Sequence, residues 1–310
     1  MRIARALAAL ALPAAVVVPV NAQSPTAVET RGGAVGVEAR QIEIGEDAAA
    51  TTIRQVSVPV GVTWSRGRFA ADLGSAWVSS RLSRGDGTAR TVSGVGDTQV
   101  RLSYTFGRDL VVASIVANLP TGLSERSSQD APVLGAISSS FFGFPIASHG
   151  SGLSTTGGLA VAVPAGEWNI GLAGSVRWSG EFTPYRDGNA QLSYQPGIEG
   201  RVRAGADRLI GQARFTAGVT LSTFGTDQFG NGTSSIGVYT PGTRVTAQAG
   251  VVAPAGSGSL SVFAWHYFRT EGDSAETVVG NRERITGAGV SWGRSVTPGV
   301  DFELGLDGKL

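Results

Sequence analysis

The sequence predicts an all-β chain, a transmembrane antiparallel up-and-down β-barrel of 12–14 strands. Three observations predict it. Apolar residues recur at every second position in segment after segment, turn residues separate the segments, and the connections alternate between short and long. The pattern is plainest in "RQVSVPVGVTWSRGRFAADLGSAWV", residues 54–78. Val56, Val58, Val60, Val62 and Trp64 alternate with Ser, Pro, Gly and Thr, and after a turn the alternation resumes at Phe69.

The N-terminus reads differently. Arg2 and Arg5 precede an apolar run from Ala6 to Val20 and a small-residue site, Val20-Asn21-Ala22, the layout of a secretory signal peptide cut after Ala22. Pro13 and Pro19 interrupt the run, which is shorter than the ~20 residues a spanning helix needs. Residues 23–310 are then expected to form one barrel in the cell outer membrane. Composition narrows the functions further. The chain has no Cys, so neither disulfides nor a thiolate nucleophile is available. Net charge is +1 and the charges are scattered, which argues against a nucleic-acid partner. With two His and no Cys no metal site is expected, and no cofactor is implied. The partners this leaves are outer-membrane lipid and a small-molecule solute; oligomeric state is not encoded.

The segments follow in order. "GAVGVEARQIEIGED" near 33–46 comes first, then Val56–Trp64 and Phe69–Trp77. Val100–Phe106, an apolar strand near 110–119, Leu159–Val163 and Trp168–Val176 come next. Ile198–Ala204, Ala213–Leu221, Val245–Val251, Phe263–Tyr267, Ala288–Trp292 and Val300–Leu306 complete the set. Short connections are expected at 65–68, 107–109, 164–167, 206–208, 253–258 and 294–298, and long ones near 81–96, 121–152, 179–193, 222–242 and 270–282. Tight turns at one end and long loops at the other are the anatomy of outer-membrane barrels. Nine residues at ~3.3 Å, tilted by ~45°, rise roughly 20 Å, close to the ~25 Å apolar band of such barrels. Trp64, Phe69, Phe106, Trp168 and Trp292 flank short turns, and Trp77, Trp178 and Tyr267 lie towards the other rim, so two aromatic girdles are expected. The competing fold is a soluble sandwich, which would need polar outer positions. The count comes to about thirteen, whereas single-chain bacterial barrels have even numbers.

"SGVGDTQVRLSYTFG" (93–107) followed by "VANLPTG" (116–122) resembles the outer-membrane proteins of the phenol-degradation meta-pathway family, and "YQPG" at 194–197 fits as well. The resemblance implies an exported barrel that transports small, often aromatic, compounds. It carries over no functional residue.

If the apolar parity faces lipid, the opposite parity lines a lumen and a solute pathway: Asp72, Asp97, Arg101, Arg177, Glu199, Arg201, Arg203, Arg214, Arg244, Glu283, Asp301 and Glu303. The arginines 177, 201, 203, 214 and 244 fall on four successive strands and the acids mostly across the seam, so a basic wall facing an acidic one is expected. Arg101, Glu199, Arg201, Arg214 and Glu303 are placed near mid-height, about five residues from a short turn. Equally, charges inside a narrow barrel can serve only to satisfy one another. The loop 121–152 carries Phe141, Phe142 and Phe144 and is too apolar to hang in water, so it is expected to fold inward as a gating plug or entry site, the alternatives being that it extends a strand above the membrane or packs against neighbouring loops. The expected function is passive passage of small molecules through an outer-membrane channel, not enzymatic chemistry. The alternatives are a plugged structural barrel and a lipid hydrolase using His149 and Ser151, which would share a face if they lay on one strand.

Overall fold

The computed structural model describes residues 11–12, 29–45, 50–106, 110–122, 125–139, 142–188, 190–230, 235–274, 277–279, 282–297 and 300–309. Its main sheet has 16 hydrogen-bonded segments, of which two pairs are collinear halves of one strand and one spans two residues, leaving 13 long strands. β1 comprises Glu29–Val35 and Val37–Ile44, in one register against β2 (Thr51–Arg66) and interrupted only at Gly36, opposite Pro59. Proline offers no N–H to that ladder. β3 (Phe69–Ser83) follows, then β4, made of Ala89–Val95 and Thr98–Phe106. β5 (Val111–Leu119), β6 (Ser154–Ala165), β7 (Trp168–Ser179), β8 (Glu199–Ile210) and β9 (Ala213–Phe224) continue the meander. β10 (Arg244–Ala255), β11 (Gly258–Arg269), β12 (Glu283–Thr297) and β13 (Val300–Lys309) complete it. Every neighbouring pair is antiparallel, as expected for an up-and-down transmembrane barrel.

Glycine sets the short-turn end. Four hairpins turn on two residues whose first is Gly67, Gly166, Gly211 or Gly256, at φ 59, 64, 61 and 61°. That left-handed conformation matches the twist of the flanking strands and strains any residue with a Cβ. The β8–β9 turn therefore falls at Gly211 rather than at 206–208, and both strands run further than the sequence suggests. The expected turn at 107–109 lies outside the described residues.

The sheet curls until its ends meet. Arg40 on β1 reaches Asp307 on β13 at 3.3 Å. The thirteen long strands lie within the expected 12–14, and among the described residues no backbone pairing joins β1 directly to β13. Ala11–Leu12 pairs with Glu38 and Val37 and lies beside β13. The rest of the expected signal peptide, 1–22, is outside the described residues.

Register fixes the two faces. Outward residues remain uncovered by protein, as in Leu159, Val202 and Ile115 at 62, 58 and 56 % exposure, a band of apolar surface that only hydrocarbon can cover without cost. A sandwich would have buried those side chains between sheets. One segment departs from the expected parity. Phe263, Trp265 and Tyr267 pair with Gly250, Gln248 and Thr246 on β10 and with Gly289, Gly287 and Ile285 on β12, so they point into the lumen while Leu260, Val262 and Ala264 face out. Both parities of β11 are apolar, so alternation could not choose between them. The glycines opposite decide it: a Cβ added at Gly287 would strike the Trp265 ring. Tyr267, 5 % exposed, thus leaves the expected outer girdle.

Candidate pore and its plug

The loop between β5 and β6 does fold inward. Ala131–Ser138 forms helix α1, begun by Pro132 in its first turn, where a missing N–H is harmless. Its Val133 and Ile137, 0 and 1 % exposed, pack with Phe144 against Ile53 on β2, Leu82 on β3 and Val92 on β4, with Ile42, Ile44 and Phe142 at the margin. Ile42, Ile53, Leu82 and Val92 have the inward parity. They are apolar because they face α1, not water. Each fully buried aliphatic side chain of this kind contributes roughly 1.5–3 kcal/mol. Phe141 is outside the described residues.

Polar anchors hold the loop in register. At the one-residue bulge between the halves of β4, Asp97 turns inward: its Oδ1 accepts from Gly122 N at 3.1 Å, and its Oδ2 accepts from Ser151 N and Oγ at 2.7 and 3.0 Å. One carboxylate thereby ties together both ends of the loop. Thr121 Oγ1 accepts from Thr98 N at 2.8 Å and donates to Gly96 O at 3.3 Å. Gly122 has to be glycine, since a Cβ there would collide with the His149 carbonyl. Further in, the Gln55 side-chain amide imitates a strand neighbour, donating to Ile146 O at 2.7 Å and accepting from Ile146 N at 3.1 Å. Arg40 donates to Gly143 O at 2.8 Å, and Lys309 to Phe142 O at 2.9 Å. Above the barrel Asp130 meets Arg90 at 2.7 Å, and Asp187 accepts from Ser127 and Ser128, bonds that hold its carboxyl below the usual range.

His149 and Ser151 do not form a catalytic pair. Neither residue lies on a strand, and the Ser151 hydroxyl donates to Asp97. His149 is 2 % exposed, and neither ring nitrogen has a hydrogen-bond partner among the described residues. Burial, with Arg126 adding to it and Asp130 opposing, lowers its pKa to about 4. It is therefore a neutral side chain packed at the root of the plug.

The predicted lumen charges separate into groups. Arg177, Arg201, Arg203 and Arg244 stand on β7, β8 and β10 in the half nearer the long loops, and Glu199, which opens β8, pairs with Arg201 at 2.7 Å. Arg244 stacks over Phe224 at 5.1 Å and Tyr267 at 5.8 Å. Glu283 sits at the same end of β12, joined to Arg269 at 3.3 Å. Asp72 and Glu303 stand near the short turns of β3 and β13, and Asp301 pairs through its backbone with Ser295. Arg177, Arg201, Arg203 and Arg244 thus stand towards the long loops and Asp72, Asp301 and Glu303 towards the short turns, while Glu199, Glu283 and Arg214 depart from that division. The mid-height grouping does not hold for Glu199 and Arg201, which lie towards the long-loop end, nor for Arg214, which adjoins the Gly211 turn and meets Asp207 at 3.2 Å. The turn at Gly211 is the reason.

Between the charges the lumen wall is bare. Ser114, Gly158 and Ser175 lie side by side, as do Val112, Ala160 and Ala173 one step below. A concavity of about 240 Å³ opens there, lined by Val112, Ala160, Ala162, Ala173, Arg203 and Gly205. Asp72, Arg101, Arg203 and Glu303 make no side-chain hydrogen bond or ion pair among the described residues, and Arg101, Arg203 and Glu303 are exposed. No group of His and carboxylates able to hold a metal occurs among the described residues.

Comparison with known proteins gives little more. No protein-family model matches the chain, and no curated protein does. Among solved structures, the chain is similar to an outer membrane channel from Pseudomonas putida F1, with 11 % identity, a TM-score of 0.49, and coverage of 93 % of this chain and 97 % of that one.

Proposed function

We propose that the chain is an outer-membrane channel through which small molecules pass passively, with the short turns in the periplasm and the long loops outside. One observation carries this reading: lumen-facing charges that are exposed and unpaired stand among Gly, Ala and Ser, where a filled barrel would bury and pair them. Thirteen strands also place the barrel between eight-stranded ones packed with side chains and the wide porins. The resemblance at 93–107 and 116–122 to the phenol-degradation meta-pathway proteins supports small aromatic solutes. The arginines support polar ones.

A plugged barrel is the second reading, favoured by α1, which covers the lumen beside β1–β4. Conductance of the refolded protein in a planar bilayer distinguishes the two. A channel passes current as purified, a plugged barrel only when the loop is undocked, and silence in both states would sink the transport reading.

A further inference from the structure

We propose that the concavity beside Arg203 is a binding site for small monovalent organic anions with a compact apolar body, of which a ring carboxylate is the simplest. This inference rests on the channel reading and names its solute class. The apolar half of the argument comes from the wall. Register sets Ala160 beside Val112 and Ala173, and Gly171 beside Ala162 and Gly205, so the surface offers methyl groups and bare backbone. Its strand amides and carbonyls are already used by the ladders. A polyol or sugar would lose water from its hydroxyls there without gaining partners, which is unfavourable for each one. An apolar ring loses nothing comparable.

The anionic half comes from Arg203. Its neighbouring acids are engaged: Asp207 with Arg214 at 3.2 Å and Asn169 at 3.3 Å, and Glu199 with Arg201 at 2.7 Å. The Arg203 guanidinium has no polar partner among the described residues and borders the concavity. A carboxylate can take two of its parallel N–H donors at once. Arg177 and Arg244 in the same half of the lumen, in no ion pair among the described residues, add positive potential, which draws anions and repels cations. A volume of about 240 Å³ falls below that of sites for drug-sized ligands and suits a single ring or short chain. One charge contact on an apolar ledge also gives the weak, reversible hold that passage requires.

The test uses the refolded full barrel and three probes: benzoate, benzyl alcohol, which keeps the ring without the charge, and acetate, which keeps the charge without the ring. Binding is measured in detergent by ligand-observed NMR, and current in planar bilayers. Benzoate should bind more tightly than either of the others. Arg203→Ala should weaken benzoate about tenfold or more and leave benzyl alcohol unchanged, while Arg203→Lys, a cation without the planar fork, should fall between. Equal benzoate affinity in Arg203→Ala and the parent would overturn the site, as would benzyl alcohol binding as tightly as benzoate. The channel reading fails separately: Arg203-dependent benzoate binding with no current would keep the site and remove the pore.

Discussion

The two sides of the lumen differ although the same alternation builds both. Along β1–β4 the inward residues at the long-loop end are Ile42, Ile53, Leu82 and Val92, and a loop comes in to cover them. Along β7–β10 the corresponding inward positions hold Arg177, Arg201, Arg203 and Arg244, and the wall below is Gly, Ala and Ser. The outward faces of both sides are equally apolar, because lipid imposes one requirement everywhere. The chemistry of the inner face therefore decides which side the loop covers and which it leaves bare.

Breaking the apolar side should have the largest effect. Val133→Asp with Ile137→Asp places two carboxylates where the native side chains are 0 and 1 % exposed, and burying an unpaired carboxylate costs several kcal/mol. The helix should undock and conductance rise severalfold, with the barrel itself still folded. Unchanged current would show that α1 does not limit passage.

Next in size is the anchor at the loop's ends. Asp97→Ala removes three charge-assisted acceptor contacts, to Gly122 N and to Ser151 N and Oγ. At roughly 1.5–3 kcal/mol for a hydrogen bond to a charged group, less what water returns, the docked loop should lose about 2–4 kcal/mol. Protease cleavage within 121–152 should then accelerate by one to two orders of magnitude. Asp97→Asn, which keeps an acceptor oxygen, should be milder. Equal cleavage rates in parent and Asp97→Ala would remove the clamp from the account.

The sharpest contrast with the basic side is pH dependence, because arginines do not titrate in this range and His149 does. Docked, His149 is held neutral with its pKa lowered to about 4 by burial; in a released loop it would titrate near 6.5. Above pH 6.5 neither state binds the proton, and docking is at full strength. As pH falls from 6.5 towards 4 the released state takes up the proton that the docked one refuses, so docking weakens by ~1.4 kcal/mol per pH unit, about 3 kcal/mol in all. Arg126 reinforces this direction and Asp130 opposes it. The chain has no Cys, so a spin label on Ser138→Cys reports α1 alone. Its mobility should rise between pH 6.5 and 4.5, and His149→Phe should flatten that rise.

How much of this was legible beforehand follows from the same contrast. Alternation located the strands and their outward faces because lipid demands apolar residues at one parity throughout. It could not orient β11, where Phe263 and Val262 are apolar at opposite parities and only the glycines of β12 decide. The arginine wall was legible as charge on the lumen parity; its height was not, because Gly211 rather than 206–208 turns the chain. Gln55 and the inward isoleucines were missed, although apolar residues of the wrong parity near strand ends were the available signal of something docking there. The stretches 93–107 and 116–122 that carry the family resemblance touch: Gly96 and Asp97 bond to Thr121 and Gly122, so Asp97, expected on the solute pathway, serves as an anchor.

The seam gives the smallest effect and the finest test of the comparison. β1 belongs to the plugged side, and its join to β13 carries the Arg40–Asp307 contact at 3.3 Å, with side chains 22 and 34 % exposed. A part-exposed ion pair of this kind contributes about 1 kcal/mol or less. Arg40 also donates to Gly143 O in the plug, so its two partners can be weighed against each other. Asp307→Asn breaks the ion pair and leaves the bond to Gly143 in place. If the seam depends on this pair, the variant should unfold at slightly lower denaturant concentration while its current is unchanged. A rise in current without loss of stability would mean that Asp307 acts instead through Arg40 on the plug, and the occluded side would then extend across the closure to β13.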